Sequence, residues 1–111
     1  MKIRVDRESI CMGDDVLPHE VEFEVPGDMT VKDFFDFLEI ERYLPSVQGN
    51  NVAWELRNRN GEHGAYFTKT REIIHPDALL KEMVEGFDGT PLFVLLYYYT
   101  PEAYYIRKEN K

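Results

Sequence analysis

The sequence has only one cysteine, Cys11, so no intramolecular disulfide can form. A chain without disulfides fits a reducing compartment. The charged start, residues 1–6, lacks the apolar segment of a secretory signal, and no Asn-x-Ser/Thr glycosylation site occurs. The longest apolar run, Leu92 to Tyr99, is far shorter than the roughly 20 residues of a membrane-spanning helix. These absences predict a cytoplasmic protein with no membrane partner.

Few residues have the spacing that metal or cofactor chemistry needs. The histidines, His19, His63 and His75, show neither His-x3-His nor Cys-x2-Cys spacing, so we predict no metal site. Cys11 has apolar neighbours and no adjacent base that would activate it. The seven glycines are scattered at turns and form no phosphate-binding loop. We therefore predict no metal, no cofactor and no catalytic residue, although two carboxylates brought together by folding would escape this reasoning.

Basic residues are scarce in one third of the chain. Residues 13–41 contain ten acidic residues and one basic residue, Lys32, whereas the rest of the sequence is almost neutral. Such a distribution repels phosphate backbones, so we predict no binding to nucleic acid. The acidic excess favours solubility and would also suit contact with a basic protein.

In the first half of the chain, alternation and capping residues predict two strands and a helix. Lys2–Asp6 and His19–Val25 alternate apolar and polar residues as half-buried strands do, and they can pair as a hairpin. Thr30 and Asp33 resemble a capping box that begins a helix, and Pro45 ends it. The core-facing stripe of this helix comprises Val31, Phe34, Phe35 and Leu38.

The second half of the chain predicts three more strands and a short helix. Residues 52–57 alternate, Asn60-Gly61 is typical of a two-residue type I′ turn, and 63–68 form the returning strand. A short helix follows Pro76 and ends at Gly86. Leu92–Tyr99 is apolar on both faces, which predicts a central strand. The residues expected in the core include Phe23, Phe34, Leu38 and Trp54.

This order of elements resembles the β-grasp, or ubiquitin-like, fold over about residues 1–99. The resemblance includes the acidic second strand, which continues through Pro26-Gly27-Asp28 into the helix, and the helical turn before the last strand. It implies an α+β fold with a mixed sheet of four to five strands on one main helix, plus a short second helix. The expected strand order is 2-1-5-3, with the fifth strand central and parallel to the first. Residues 1–100 then form one domain and 101–111 a C-terminal tail; a plain α+β sandwich of another topology is the alternative.

The resemblance also bears on function. Ubiquitin-type modifiers and sulfur carriers end in Gly-Gly, whereas this sequence ends in Asn110-Lys111, so conjugation is not expected. β-grasp ferredoxins need four cysteines. The resemblance therefore implies a non-enzymatic protein–protein interaction domain. Two alternatives stay open: an acidic inhibitor or immunity-type protein that covers a basic site on its partner, and a small enzyme with an unrecognised site.

Two sets of side chains are candidates for binding another protein. The first set is aromatic, because five of the seven tyrosines are Tyr97, Tyr98, Tyr99, Tyr104 and Tyr105. Tyrosine supplies a large contact area, although a lightly covered sheet face would also explain the run. The second set is the acidic row of the second strand, Glu20, Glu22 and Glu24, which share one face and would suit a basic partner. The acids of the helix, Asp33, Asp36 and Glu39, would extend this row into one negative rim.

A second apolar stripe runs along the back of the main helix. It comprises Phe37, Ile40 and Leu44, well away from the core-facing stripe. Either the 42–51 loop or the second helix covers these residues, or they form a contact between two copies of the chain. A homodimer is therefore a further hypothesis.

Overall fold

A computed structural model of the chain describes residues 1–8, 20–44 and 51–109. The elements in this part of the chain are β1 (Lys2–Arg7), β2 (Val21–Glu24), α1 (Val31–Ile40), β3 (Ala53–Asn58), β4 (Gly61–Phe67), β5 (Glu72–Ile74), α2 (Leu80–Met83), β6 (Leu92–Tyr98) and α3 (Pro101–Glu109). The strands form one mixed sheet in the order β2-β1-β6-β3-β4-β5. The protein is therefore α+β, and within the described ranges no helix is long and apolar enough to cross a membrane.

β6 occupies the centre of the sheet, parallel to β1 and antiparallel to β3. This arrangement confirms the central position predicted for residues 92–99 and the predicted order of four neighbouring strands, β2-β1-β6-β3. The prediction of four to five strands is wrong, because β5 pairs with β4 as a sixth strand. β5 has only three residues, which is too short for an alternating pattern to be recognised in the sequence.

α1 begins at the predicted capping box. The Thr30 hydroxyl accepts from the Asp33 amide at 3.1 Å, and the Asp33 carboxylate accepts from the Thr30 amide at 3.5 Å. The helix ends at Ile40, while Pro45, expected to stop it, lies outside the described residues. The predicted stripe is confirmed, because Val31, Phe34, Phe35 and Leu38 are fully buried.

α1 and α2 cover one face of the sheet and enclose the main core. Phe34, Leu38 and Trp54 are fully buried in it, as predicted. Phe23 is only half-buried, because β2 is an edge strand, and its ring packs edge-on against Phe37 with 5.0 Å between centroids. α2 is shorter than predicted, and Gly86 follows it with a φ of +83°.

α3 lies on the opposite face of the sheet, where the sequence indicated only a tail. Tyr104 is fully buried there and packs edge-on against Tyr98, with 5.5 Å between centroids. The small side chains of Ala53 and Ala65 belong to the same cluster and leave room for the helix above the sheet. Thr100 caps the helix by accepting from the Ala103 amide at 3.1 Å. Thr100 followed by Pro101 is a recognisable helix start in the sequence.

Candidate functional site

α3 covers only part of its face of the sheet, and a cleft of about 480 Å³ remains open beside it. The cleft lies over β1, β6 and the end of β3, next to the 87–90 loop. We call it the arginine cleft; its lining comprises Arg4, Arg57, Asn58, Arg59, Phe87, Asp88, Thr90, Leu92, Val94 and Leu96.

The floor of the arginine cleft is the outer side of β6. Leu92, Val94 and Leu96 alternate along this strand with Phe93 and Leu95, which point into the main core. Because β6 is apolar on both faces, its outer residues need a cover. α3 reaches only Leu96, so Leu92 and Val94 stay partly exposed.

Two of the arginines flank this floor from neighbouring strands. Arg4 of β1 is the register partner of Leu92, and Arg57 of β3 is the partner of Val94. The guanidinium of Arg4 donates to the Thr90 carbonyl from Nε at 3.3 Å and from Nη2 at 3.2 Å. The lateral pairing of the sheet therefore places a cation on each side of an apolar strand.

The Arg57 guanidinium is held by a buried carboxylate. Its Nη1 donates to Glu55 Oε2 at 3.0 Å, and Glu55 is only 2% exposed. The Tyr98 hydroxyl donates to the other oxygen of Glu55 at 3.0 Å, and Arg107 of α3 donates to the Tyr98 oxygen at 3.0 Å. Burial, and then the Glu55 carboxylate, raise the pKa of Tyr98. This network compensates the Glu55 charge and fixes Arg57 at the wall of the cleft.

Arg59 stands in the β3–β4 turn, which is built differently from the expected turn. Asn58 pairs with Gly61, so Arg59 and Asn60 are the central residues, and positive φ occurs at Gly61 instead of at both central positions. The side-chain amides of Asn58 and Asn60 donate from Nδ2 to the Met83 carbonyl at 3.0 and 2.9 Å. The type I′ prediction is therefore wrong by one residue, because the asparagines anchor the turn to the end of α2.

His63 shares the Asn58 side chain with this turn. Asn58 donates from its nitrogen to Met83, so its oxygen accepts from the His63 ring, whose Nε2 is 2.7 Å away. That arrangement assigns a hydrogen to Nε2. Burial, and then the charge of Arg57, lower the pKa of His63 from its ordinary 6.5.

The structure divides the candidate tyrosines between several environments. Tyr98 and Tyr104 are buried under α3, and Tyr97 packs half-buried against Trp54 in the main core. Tyr99 and Tyr105 are exposed, by 71% and 44%. The run therefore forms no continuous aromatic surface, because α3 turns back over the sheet and uses two of its members for packing.

The acidic row, which begins one residue before β2, is matched by cations on or next to β1. Glu20 lies 3.6 Å from the Arg4 guanidinium, Glu22 lies 3.8 Å from the Lys2 ammonium, and Glu24 lies 3.1 Å from the N-terminal amine of Met1. The three carboxylates are exposed and point away from α1, because Phe23 between them faces that helix. The row is thus solvent-accessible but locally neutralised.

The acids of α1 do not extend this row, because α1 lies on the other face of the sheet. Asp33 caps its own helix, and Asp36 pairs with Lys32 at 2.7 Å. Glu39 is a neighbour of Tyr66 on β4, and burial, with Glu39 adding to it, raises the pKa of Tyr66 to about 12. The single negative rim expected from the sequence does not form.

The stripe on the back of α1 is mostly covered. Phe37 and Leu44 are partly buried against the main core, while Ile40 is 78% exposed. Of the three residues proposed for a homodimer, only Ile40 presents a large apolar surface. Cys11 and His19 lie outside the described residues, and in the described part no group of three or more His, Cys, Asp or Glu side chains could hold a metal ion.

No pattern in the sequence predicted the arginine cleft. Arg4 and Arg57 occupy the polar positions of alternating strands, which are ordinary places for solvated cations. The one sequence feature that indicated a site on this face was the apolar character of both faces of β6. Apolar residues on both faces require cover on both faces. One predicted main helix covers one face, so the other face had to carry either further structure or an open apolar site.

Comparisons with known proteins assign this chain to no family. No protein-family model, no curated protein and no solved structure matches this chain.

Proposed function

We propose that this protein is a non-enzymatic protein–protein interaction domain that binds its partner in the arginine cleft. The arrangement of β2, β1, β6 and β3 against α1 supports a β-grasp-like fold, with β5 and α3 as additions to it. A single cysteine in the sequence supports a cytoplasmic location.

The observation that carries the proposal is an open apolar strip between arginines. Leu92 and Val94 remain partly exposed at the centre of the sheet, where β1 and β3 flank their strand. Apolar surface rimmed by polar groups is characteristic of interaction sites. Arginine is also enriched at protein interfaces, because its side chain offers both contact area and several donors.

The chemistry of the cleft supports binding rather than proton transfer. The described lining carries three guanidinium groups, which keep their proton at any physiological pH and act only as donors. Asp88 is the carboxylate among the described lining residues. Such a set recognises an acceptor-bearing ligand without needing to change its protonation state.

Quantitative affinity capture from the source organism tests the proposal. The immobilised wild-type protein should enrich a partner that an Arg59→Gln variant fails to retain. Lys69→Gln is the matched control, because Lys69 is an exposed cation in the turn after β4, away from the cleft. If the two variants and the wild type retain the same proteins in equal amounts, the cleft is not the partner-binding surface.

An acidic inhibitor that covers a basic site is the second candidate. The exposed row of Glu20, Glu22 and Glu24 along one edge of the sheet favours it. The cations of β1 beside this row oppose it, since a basic partner would have to displace them. The two candidates predict opposite changes in the association rate when these charges are removed.

A further inference from the structure

Arg59 keeps most of its hydrogen-bond donors available for a ligand. Its Nη2 donates to the Gly86 carbonyl at 3.0 Å, and the Phe87 ring lies against the guanidinium with 4.0 Å to the ring centroid. In the described part of the chain it forms no salt bridge. The group is thus oriented by its neighbours while the rest of its planar fork faces the cleft or the solvent.

Arg57 is oriented in a similar way. A single terminal nitrogen, Nη1, contacts the buried Glu55. Its other donors have no partner among the described residues and lie at the wall of the cleft. Arg4 is more fully engaged, because Thr90 and Glu20 both contact its guanidinium. Arg57 and Arg59 are therefore the groups that a ligand would contact first.

The cleft combines guanidinium donors with an apolar strip, so it requires a ligand that carries both a hydrogen-bond acceptor and an apolar group. A carboxylate accepts two parallel hydrogen bonds from a guanidinium fork, and the strip of Leu92 and Val94 is covered favourably only by an apolar group. Successive outward residues of a strand are roughly 7 Å apart, so one short segment can contact both the strip and the arginines. The volume of about 480 Å³ suits a few side chains rather than a folded domain.

The surrounding acids limit how much negative charge the ligand can carry. Asp88 lines the cleft, Glu20 and Glu55 lie beside its arginines, and the chain has a net charge of −8. A polyanion such as a nucleic acid would be repelled overall. A segment with one or two carboxylates next to an apolar side chain would not.

We infer that the arginine cleft binds an acidic peptide segment of the partner protein, in which Asp or Glu stands beside a bulky apolar residue. The inference rests on the proposed function and specifies the partner chemistry that the cleft recognises. The carboxylate pairs with Arg59 and Arg57, and the apolar side chain covers Leu92 and Val94.

Selection from a random-peptide library displayed on phage tests this inference without assuming a sequence. The full-length wild-type protein is the bait, and the enriched peptides are then synthesised. We expect them to share an acidic residue next to Leu, Ile, Phe or Met. On the wild-type protein, replacing that acid by its amide should weaken binding about tenfold or more, as for other charge-assisted hydrogen bonds.

Variants of the protein place the peptide in the cleft. Arg59→Gln and Leu92→Thr should each weaken binding about tenfold, Arg59→Lys should recover part of the loss, and Lys69→Gln should bind as the wild type does. Arg57 is left intact, because its removal would leave the buried Glu55 carboxylate without its cation. Urea unfolding of each variant checks that the fold is preserved.

The outcomes separate the inference from the proposed function. Enriched peptides that lack an acid but lose affinity in Leu92→Thr would overturn the inference and leave the cleft as a binding site. No enrichment would overturn the inference and leave the affinity capture to decide the proposed function, whereas enriched peptides that bind all variants equally would overturn both. Equal affinity of the acidic peptide and its amide analogue for the wild-type protein would overturn the inference even if a variant failed to fold.

Discussion

The Tyr98 hydroxyl donates a hydrogen bond to Glu55 across 3.0 Å, and Glu55 is only 2% exposed. The same carboxylate accepts from Arg57 in the wall of the arginine cleft, while the Tyr98 oxygen accepts from Arg107 of α3. One buried charge thus joins the part of the sheet that α3 covers to the part that stays open. The network links the stability of the fold to the position of the Arg57 guanidinium in the wall of the cleft.

Removing the Tyr98 hydroxyl should destabilise the protein. Tyr98→Phe keeps the ring in its cluster but takes away the donor to Glu55, so we expect a loss of about 1–3 kcal/mol in the free energy of unfolding. Urea unfolding measures it. Tyr99→Phe is the control, because Tyr99 is 71% exposed and its hydroxyl should contribute almost nothing. Equal effects of the two substitutions would show that the Tyr98–Glu55 bond is not formed in solution.

The two members of the Glu55–Arg57 pair should respond unequally to replacement. Arg57→Gln leaves a buried carboxylate without its cation, which should cost about 3 kcal/mol or more. Glu55→Gln keeps an acceptor for Tyr98, and the side chain of Arg57, 28% exposed, can still reach water. We therefore expect a smaller loss, about 1–2 kcal/mol. Thermal and urea unfolding should rank the variants in this order, and the reverse ranking would contradict the assigned burial of Glu55.

The pKa of His63 predicts acid sensitivity. Burial and Arg57 lower this pKa from 6.5, so the unfolded chain binds a proton at a higher pH than the folded protein does. The stability associated with neutral His63 is complete above about pH 6.5 and is lost as the pH falls toward the folded pKa. The difference in unfolding free energy between the wild type and His63→Gln should therefore shrink on acidification. An NMR titration midpoint of His63 at or above 6.5 would contradict this assignment.

The main helix was predictable because its determinants are local. Thr30 and Asp33 cap each other within one turn, and the stripe from Val31 to Leu38 has a single period. The central strand, 92–98, was predictable for a related reason, since only a strand covered on both faces is apolar throughout. These patterns specify which face of an element is buried, whatever its neighbours are.

The candidate site was not predictable in the same way, because it depends on contacts between distant residues. Arg4 and Leu92 are neighbours only through the register of β1 and β6. The covering of Tyr98 depends on α3, whose weakly amphipathic sequence after Pro101 resembles a polar tail. The sequence therefore suggested that the tyrosines form an exposed binding surface. In the structure the open cleft is instead lined by arginines whose positions in the sequence are typical of solvated cations.

A matched pair of substitutions tests which face of α1 is buried. Leu38 is fully buried, so Leu38→Ala should cost about 2–5 kcal/mol through lost contacts and an unfilled cavity. Ile40 is 78% exposed, so Ile40→Ala should change stability by less than about 0.5 kcal/mol. Urea unfolding distinguishes them. A loss for Ile40→Ala as large as that for Leu38→Ala would place the helix in another orientation or reveal a contact between two copies of the chain.

The acidic row of β2 separates the two functional hypotheses. Glu20 lies 3.6 Å from Arg4, which lines the cleft, so the row competes with any acidic ligand for the nearby cations. If the cleft binds an acidic segment, replacing Glu20, Glu22 and Glu24 by Gln should speed association several-fold at low ionic strength. If the row itself contacts a basic partner, the same change should slow association by a similar factor.

Stopped-flow association rates of the triple variant and the wild type decide whether the substitutions speed or slow association. The effect should disappear in about 0.5 M salt, where the screening length falls to a few ångströms. Folding should survive, because exposed ion pairs contribute only about 0–1 kcal/mol each. Replacing Glu41 and Glu72 by Gln and Asp77 by Asn also removes three exposed charges, none of which lines the cleft, and so controls for net charge alone. An equal gain in the association rate of this control would show that the long-range field of the chain, not competition at Arg4, governs binding. A lower rate of the triple variant than of the wild type would reject the arginine cleft in favour of the acidic contact.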